Sequence, residues 1–238
     1  LRLALTCILL ALAPSTAEAQ GLRIGIRTGP TFAFLSDGGA PFSGGTPRTN
    51  ANLRLNLHAG AHLIVPLAEQ VALQSELRYI QKGGHFSQPL TERYTVERYQ
   101  FAYLQGAVLL RRTVPIPSPL ALHVVAGLSV DRLLQGTAQR NFHSAEINTA
   151  TRVSLSATGR LRHWDVGGLL GVELGYPIGP ASRVALSLRY NPGFRSVFSP
   201  SQQPTREQAP LEPFPLPRPI DRLRHDVITA GLAYTFPL

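Results

Sequence analysis

The stretch Ile228-Thr229-Ala230-Gly231-Leu232-Ala233-Tyr234-Thr235-Phe236-Pro237-Leu238 decides how this chain folds. Side chains of a strand alternate between two faces. Ile228, Ala230, Leu232, Tyr234 and Phe236 therefore share one face, and Thr229, Gly231, Ala233 and Thr235 share the other. An apolar face ending in paired aromatics, backed by small and polar residues, is the pattern of the closing strand of an outer-membrane β-barrel.

Working outward, the same period of two recurs in eight segments, near 22–35, 53–66, 70–82, 98–112, 120–134, 162–176, 182–192 and 224–237. In the second, Leu53, Leu55, Leu57, Ala59, Ala61, Leu63 and Val65 oppose Arg54, Asn56, His58, Gly60 and His62. In the seventh, Val184, Leu186, Leu188 and Tyr190 oppose Arg183, Ala185, Ser187 and Arg189. A soluble sandwich alternates in the same way, so the connections must separate the two. Residues 36–52, 83–97, 135–161 and 193–223 are long and rich in Gly, Pro, Ser and Asn, whereas the links at 66–70, 113–119 and 177–181 are brief. Long extracellular loops opposite short periplasmic turns, with an even strand number, predict an all-β fold: an eight-stranded antiparallel up-and-down transmembrane β-barrel. Gly21, Gly25 and Gly29, and Gly167, Gly171 and Gly175, are spaced by four. On a strand each trio lies on the inner wall, where small residues make room for long side chains.

The beginning of the chain points to export. Arg2, the apolar run Leu3–Leu12 and Ala17-Glu18-Ala19 read as a signal peptide over 1–19, cleaved before Gln20, with 20–238 as one barrel domain. The apolar run is too short for a membrane-spanning helix. Cys7 is the only cysteine and leaves with that segment, which excludes disulfide, thiol and cysteine-metal chemistry in the barrel domain. The expected location is the bacterial outer membrane.

Only 16% of residues are charged, yet the net charge is +9, carried by arginines with Lys82 as the sole lysine. Such basicity raises nucleic acid as a partner. Here the arginines are scattered through strands and loops of an exported chain, which favours lipid phosphates outside and carboxylates within a lumen.

The third segment is the most specific. Val71-Ala72-Leu73-Gln74-Ser75-Glu76-Leu77-Arg78-Tyr79-Ile80-Gln81-Lys82-Gly83-Gly84 resembles a segment shared by PorT-like outer-membrane β-barrel proteins, roughly F-S-L-Q-P-E-L-L-Y-S-Q-K-G, with departures at Ser75 and Arg78. Tyr103-Leu104-Gln105 through Leu110-Arg111, Val124-Val125-Ala126-Gly127, and Trp164-Asp165-Val166-Gly167 through Gly171-Val172-Glu173-Leu174 resemble later strands of that family in the expected order. The resemblance implies an eight-stranded outer-membrane barrel. A role in a protein-secretion apparatus, as associated with the founding member, would follow only by analogy of fold.

The candidate site is the lumen. Glu76 and Glu173 lie on inward faces together with Arg27, Arg54, Arg78 and Arg189, and with Arg23 and Arg183. An eight-stranded barrel is just wide enough for its own side chains. Buried charges there must pair. The expectation is a salt-bridged plug; the alternative is a small gated channel in which Arg and Glu exchange partners.

Catalysis finds little footing. Some eight-stranded barrels modify lipid A with a Ser/His/acid set, which needs base and nucleophile within hydrogen-bond reach. His58 and His62 lie on the second segment and His123, Ser129 and Asp131 on the fifth, and these are not sequential neighbours. His58 and His62 also stand about 13 Å apart along a strand, too far for one metal. His143 and Glu146 have no other ligands at metal-site spacing. No cofactor, metal or nucleotide site is expected, and the chain reads as a structural or interaction protein with no catalysis.

Phe32, Phe34, Tyr79, Tyr99, Phe101, Tyr103, Trp164, Tyr176, Tyr190, Tyr234 and Phe236 read as interfacial girdles. Arg93, Arg98, Arg140 and Arg160, with Arg48, Arg152 and Arg162, lie in or beside the outer loops, where arginine forks suit lipopolysaccharide phosphates. Loop 193–223 carries Pro200, Pro204, Pro210, Pro213, Pro215, Pro217 and Pro219, and is stiff enough to serve as a recognition arm for a surface partner. Other expected partners are outer-membrane lipids, a periplasmic protein, and the barrel-assembly machinery through the C-terminal strand.

Overall fold

The computed structural model describes residues 21–36, 50–90, 93–117, 119–144, 148–155, 161–179, 181–197 and 223–238. The signal segment, most of the first long loop and the proline-rich middle of the last loop lie outside them, as do Arg48 and Arg160.

Ten strands run along the described chain: β1 (Arg23–Ser36), β2 (Asn50–Asn52), β3 (Arg54–Ala68), β4 (Val71–Leu90), β5 (Arg93–Val114), β6 (Ala121–Ser144), β7 (Asn148–Ser154), β8 (Trp164–Pro177), β9 (Arg183–Pro192) and β10 (Arg224–Pro237). Eight of them form the wall, in the order β1, β3, β4, β5, β6, β8, β9, β10. Every pairing is antiparallel, and β10 returns to β1 from Arg23↔Pro237 to Ser36↔Arg224. Closure removes the free edges that an open sheet would present. The two remaining strands extend the wall: β2 pairs with β4 from Asn50↔Ser87 to Asn52↔His85, and β7 pairs with β6 from Thr137↔Ser154 to His143↔Asn148.

Both described termini and the turns after β3, β5 and β8 gather at one end. At the other end the wall continues further than the expected loops allow. Residues 83–97 form the upper part of a β4–β5 hairpin, paired from Gly83↔Gln100 to Leu90↔Arg93. Residues 135–144 and 148–154 are also strand rather than loop. Crossing the hydrocarbon takes about 9–11 tilted residues, so β4, β5 and β6, at 20, 22 and 24 residues, project well beyond it.

The distribution of polarity is inverted relative to a soluble fold. Leu57, Leu77, Val108, Leu128, Leu186 and Leu188 are each more than half exposed on the outer wall, while Arg27, Glu76, Arg78, Lys82, Asp131, Glu173 and Arg189 are buried inside. Soluble monomers rarely expose so continuous an apolar surface. A lipid environment reverses the cost, because hydrocarbon accepts the leucines and the closed ladder pairs backbone groups between neighbouring strands all the way round.

One bulge changes which residues face inward. Tyr103 pairs with Leu133 and Ala102 with Gln135, so Leu134 is the extra residue on β6. Below it the odd positions Ser129, Asp131 and Leu133 are buried; above it the even positions Gly136 and Ala138 are. An inserted residue shifts the period of two by one.

The interior has two layers. The loop-end half is an apolar cluster of strand residues Leu35, Ile80, Tyr99, Phe101, Tyr103 and Val227, joined by Leu155, Leu161, Val197 and Leu223 from the connections. Val197 N–H donates to Leu223 O at 2.8 Å and Arg162 N–H to Val197 O at 2.9 Å, so the connection residues are stitched over the lumen. This corrects the aromatic girdle: Tyr99, Phe101 and Tyr103 point inward and are almost fully buried. Tyr79, Trp164, Tyr176, Tyr234 and Phe236 are exposed on the outer wall. The lower half of the interior is mostly polar, with one small buried apolar cluster of Ala107, Leu109, Val125 and Leu169 against the wall.

Candidate functional site: the buried charge network

The inward positions of six wall strands meet at mid-height. Arg27 comes from β1, Gln74, Glu76 and Arg78 from β4, Gln105 and Arg111 from β5, Ser129 from β6, Glu173 from β8, and Arg189 and Asn191 from β9. Long side chains reach the axis because some of their cross-strand neighbours have none. Gly60 is paired with Arg78 and a Cβ there would stand 2.4 Å from the arginine Cβ; Gly171 is paired with Arg189 and a Cβ would stand 2.5 Å from its Cγ.

Glu173 is the hub. Arg27 Nη2 donates to its Oε1 at 2.5 Å and Arg111 Nη1 to its Oε2 at 2.7 Å, and Arg189 Nη2 also donates to Oε1. Arg189 Nη1 bridges to Glu76 Oε2 at 2.7 Å, and Arg27 Nη1 lies 3.7 Å from Glu76 Oε1. Gln74 Nε2 completes the ring by donating to Glu76 Oε1 at 2.6 Å, while its own Oε1 accepts from Arg111 Nη1 at 2.8 Å. Buried pairs of this kind offset the desolvation of their charges only when the geometry is tight and the remaining lone pairs are satisfied. Both carboxylates here accept at both oxygens.

Of the six lumen candidates, the structure joins Arg27, Glu76, Glu173 and Arg189. Arg78 is buried beside them, but its Nε donates to Gln105 Oε1 rather than to a carboxylate. Gln105 Nε2 passes on to Asn191 Oδ1 at 3.0 Å and Asn191 Nδ2 to Ser129 Oγ at 3.1 Å. Arg54 stands apart near the loop end, donating to Tyr99 O at 3.1 Å and Gln100 Oε1 at 3.0 Å. Arg111, Gln74 and Gln105 are members that the sequence reading did not single out. Strand parity identifies Arg111, which shares its face with the buried Gln105, Ala107 and Leu109.

A second ion pair sits higher. Lys82 Nζ donates to Asp131 Oδ2 at 2.6 Å and lies 5.3 Å from the centre of the Tyr103 ring. Tyr103 Oη and His225 Nε2 are 3.0 Å apart, which ties this level to the apolar cluster above.

The histidines are partnered one by one with threonines: His58 Nδ1 with Thr31 Oγ1 at 3.2 Å, His62 Nε2 with Thr235 Oγ1 at 2.9 Å, and His123 Nδ1 with Thr113 Oγ1 at 3.0 Å. Ser129 is held by Asn191 and Asp131 by Lys82, so no Ser/His/acid relay forms among these residues. Among the described residues no group of three His, Cys, Asp or Glu side chains could hold a metal ion.

At the turn end a cavity of about 220 Å³ opens into the lumen; its lining includes Arg23, His62, Arg111, His123, Glu173 and Arg183. It reaches the charge network from below and goes no further.

The lipopolysaccharide candidates are dispersed. Arg98 is exposed on β5, Arg93 opens β5, Arg140 lies in β6 opposite Glu97 and Thr151, and Arg160 is outside the described residues. Another arginine, Arg132, lies with its guanidinium 5.9 Å from the ring centre of the exposed Trp164.

A closed antiparallel barrel, apolar towards its surroundings and charged within, is a transmembrane β-barrel of the bacterial outer-membrane kind. The chain belongs to the outer membrane protein beta-barrel domain family, whose model matches residues 16–199. It is accordingly a protein of the bacterial outer membrane, with the turn end in the periplasm. The match is to this broad family, within which the PorT-like stretch Val71–Gly84 is a resemblance only.

No curated protein matches the chain. Among solved structures it is similar to a major outer membrane protein from Thermus thermophilus (12% identity, 91% of this chain and 99% of that one, TM-score 0.44). It is also similar to the outer membrane protease OmpT from Escherichia coli (11%, 94% and 99%, TM-score 0.42) and to Neisserial surface protein A (9%, 88% and 95%, TM-score 0.41). No activity is carried over from any of them.

Proposed function

We propose that this chain is a closed barrel with a structural or interaction role in the outer membrane and no catalysis. The observation that carries this reading is the double obstruction of the lumen. The Arg27, Glu76, Arg111, Glu173 and Arg189 network fills the middle, and the apolar cluster around Phe101 fills the loop-end half. A conducting path would have to open both. The surfaces left for function are then the outside ones. The projecting β4–β5–β6 wall and the proline-rich connection offer a platform for a surface partner, Arg98 and Arg132 lie within reach of lipopolysaccharide phosphates, and the strand Arg224–Pro237 offers its alternating face to the barrel-assembly machinery.

Swelling of proteoliposomes loaded with refolded protein tests the reading. No swelling in small sugars or amino acids supports a sealed lumen. Swelling would instead support the small gated channel, and a secretion-apparatus role would show as periplasmic or membrane proteins retained specifically on the folded barrel.

A further inference from the structure

The central lumen carries more positive charge than its carboxylates neutralise. Arg27, Arg78, Arg111 and Arg189 surround two carboxylates, Glu76 and Glu173. One level up, Lys82 is paired with Asp131 and lies near the buried Asp165, so across both levels five inward cations face four buried carboxylates. The surplus is concentrated on particular atoms. Arg78 Nη1 and Nη2, Arg27 Nε and Nη1, and Arg189 Nε are buried and make no hydrogen bond among the described residues. All three arginines are at most 4% exposed.

We propose that these guanidinium groups form a binding site for a small inorganic anion of the chloride class, centred on Arg78 and filled from the periplasm. The positions converge. Arg27 on β1 and Arg78 on β4 are each paired with Gly60 on the strand between them, so no intervening side chain separates their stems. Arg78 is faced by the carboxylates of Glu76 and Asp131 and by the guanidinium groups of Arg189 and Arg27. Water can satisfy an N–H donor, but it supplies no opposite charge, and an uncompensated charge in a low-dielectric interior is strongly unfavourable. A small anion supplies both. The route is also on one side only. The cavity at the turn end is flanked by Arg23, Arg111 and Arg183 and ends at Glu173, on the near side of Arg27, Arg78 and Arg189, whereas the loop end is filled by apolar side chains. The site is therefore a dead end that binds anions without conducting them, and it stands independently of what the outer surface binds.

Chloride NMR line broadening on the refolded full chain, in an uncharged detergent and chloride-free buffer, tests the site. The expected result is broadening that saturates, is reversed by bromide, and is weakened about tenfold or more in Arg78→Gln, the scale of hydrogen bonds to a charged group. Arg152→Gln, on the exposed upper wall, keeps it. Non-saturating broadening, or equal broadening in Arg78→Gln, overturns the proposal. If Arg78→Gln does not fold, crystals of the unaltered protein soaked in sodium bromide decide. An anomalous peak against Arg78 Nη1 or Nη2 supports the site, and its absence there overturns it. Conductance is a separate readout, so a leaky barrel and an empty site are distinguishable.

Discussion

Gly171 on β8 sits directly across from Arg189 on β9, and a Cβ at that glycine would stand 2.5 Å from Arg189 Cγ and 2.8 Å from Leu188 O. The absent side chain is what lets Arg189 cross the lumen to reach Glu76 and Glu173. Gly171→Ala therefore has to displace the arginine stem or the wall. The expected cost is about 1–3 kcal/mol, as for other overpacked interiors. Urea unfolding from lipid vesicles measures it, and an unchanged midpoint would show that the lumen is looser than this spacing implies.

Removing the hub should cost more than removing the rim. Glu173→Ala strips a carboxylate from three arginines, whereas Glu76→Ala leaves Arg27 and Arg189 their bonds to Glu173. The larger loss, about 3–5 kcal/mol for an orphaned buried charge, belongs to Glu173→Ala, with Glu76→Ala smaller. The reverse order in the same unfolding assay would contradict the assignment of Glu173 as the centre.

Phe101 is fully buried among Tyr99, Tyr103 and His225, with the His225 ring edge-on at 5.2 Å. Phe101→Ala should cost about 3–5 kcal/mol yet leave the barrel non-conducting, because the ion network below is untouched. Current from this single variant would mean that the apolar cluster alone seals the lumen.

The outer wall gives a prediction of opposite sign to the inner one. Leu188 is exposed to lipid while Arg189 beside it is buried. Leu188→Arg places a charge in hydrocarbon and should destabilise by about 2–4 kcal/mol near the midplane, against about 0–1 kcal/mol for Leu238→Arg at the rim. Equal effects at the two positions would argue that the belt is displaced along the barrel.

The wall was legible because lipid on one side and a polar lumen on the other impose a clean period of two. Leu53 to Val65 opposite Arg54 to His62 shows it, as does the closing strand from Ile228 to Phe236. Three features obscured the rest. Where the lumen turns apolar, β5 carries Tyr99, Phe101 and Tyr103 on one face, and this aromatic face looks the same from sequence whether it meets lipid or core. The bulge at Leu134 reverses the parity of β6 part-way, so no single alternation covers it. The upper β4–β5 hairpin carries Gly83, Gly84, Ser87 and Pro89, residues that usually mark loops. Yet Gly83 adopts φ +143° within the strand, where a Cβ would stand 2.1 Å from Tyr99 O. Within the site, Glu76 and Glu173 stand out as rare inward acids, but which arginines reach them depends on tilt and register. That is why Arg111 joined the network and Arg54 did not.

Single-channel recording in planar bilayers is the most direct test of the sealed lumen. The unaltered protein and Glu173→Ala would be compared at equal insertion, with Phe101→Ala combined with Arg189→Ala as the doubly opened variant. The account predicts silence from the unaltered barrel and current only when both layers are breached. Steady current from the unaltered protein, altered in Glu173→Ala, would contradict it and make the buried charges the lining of a pore.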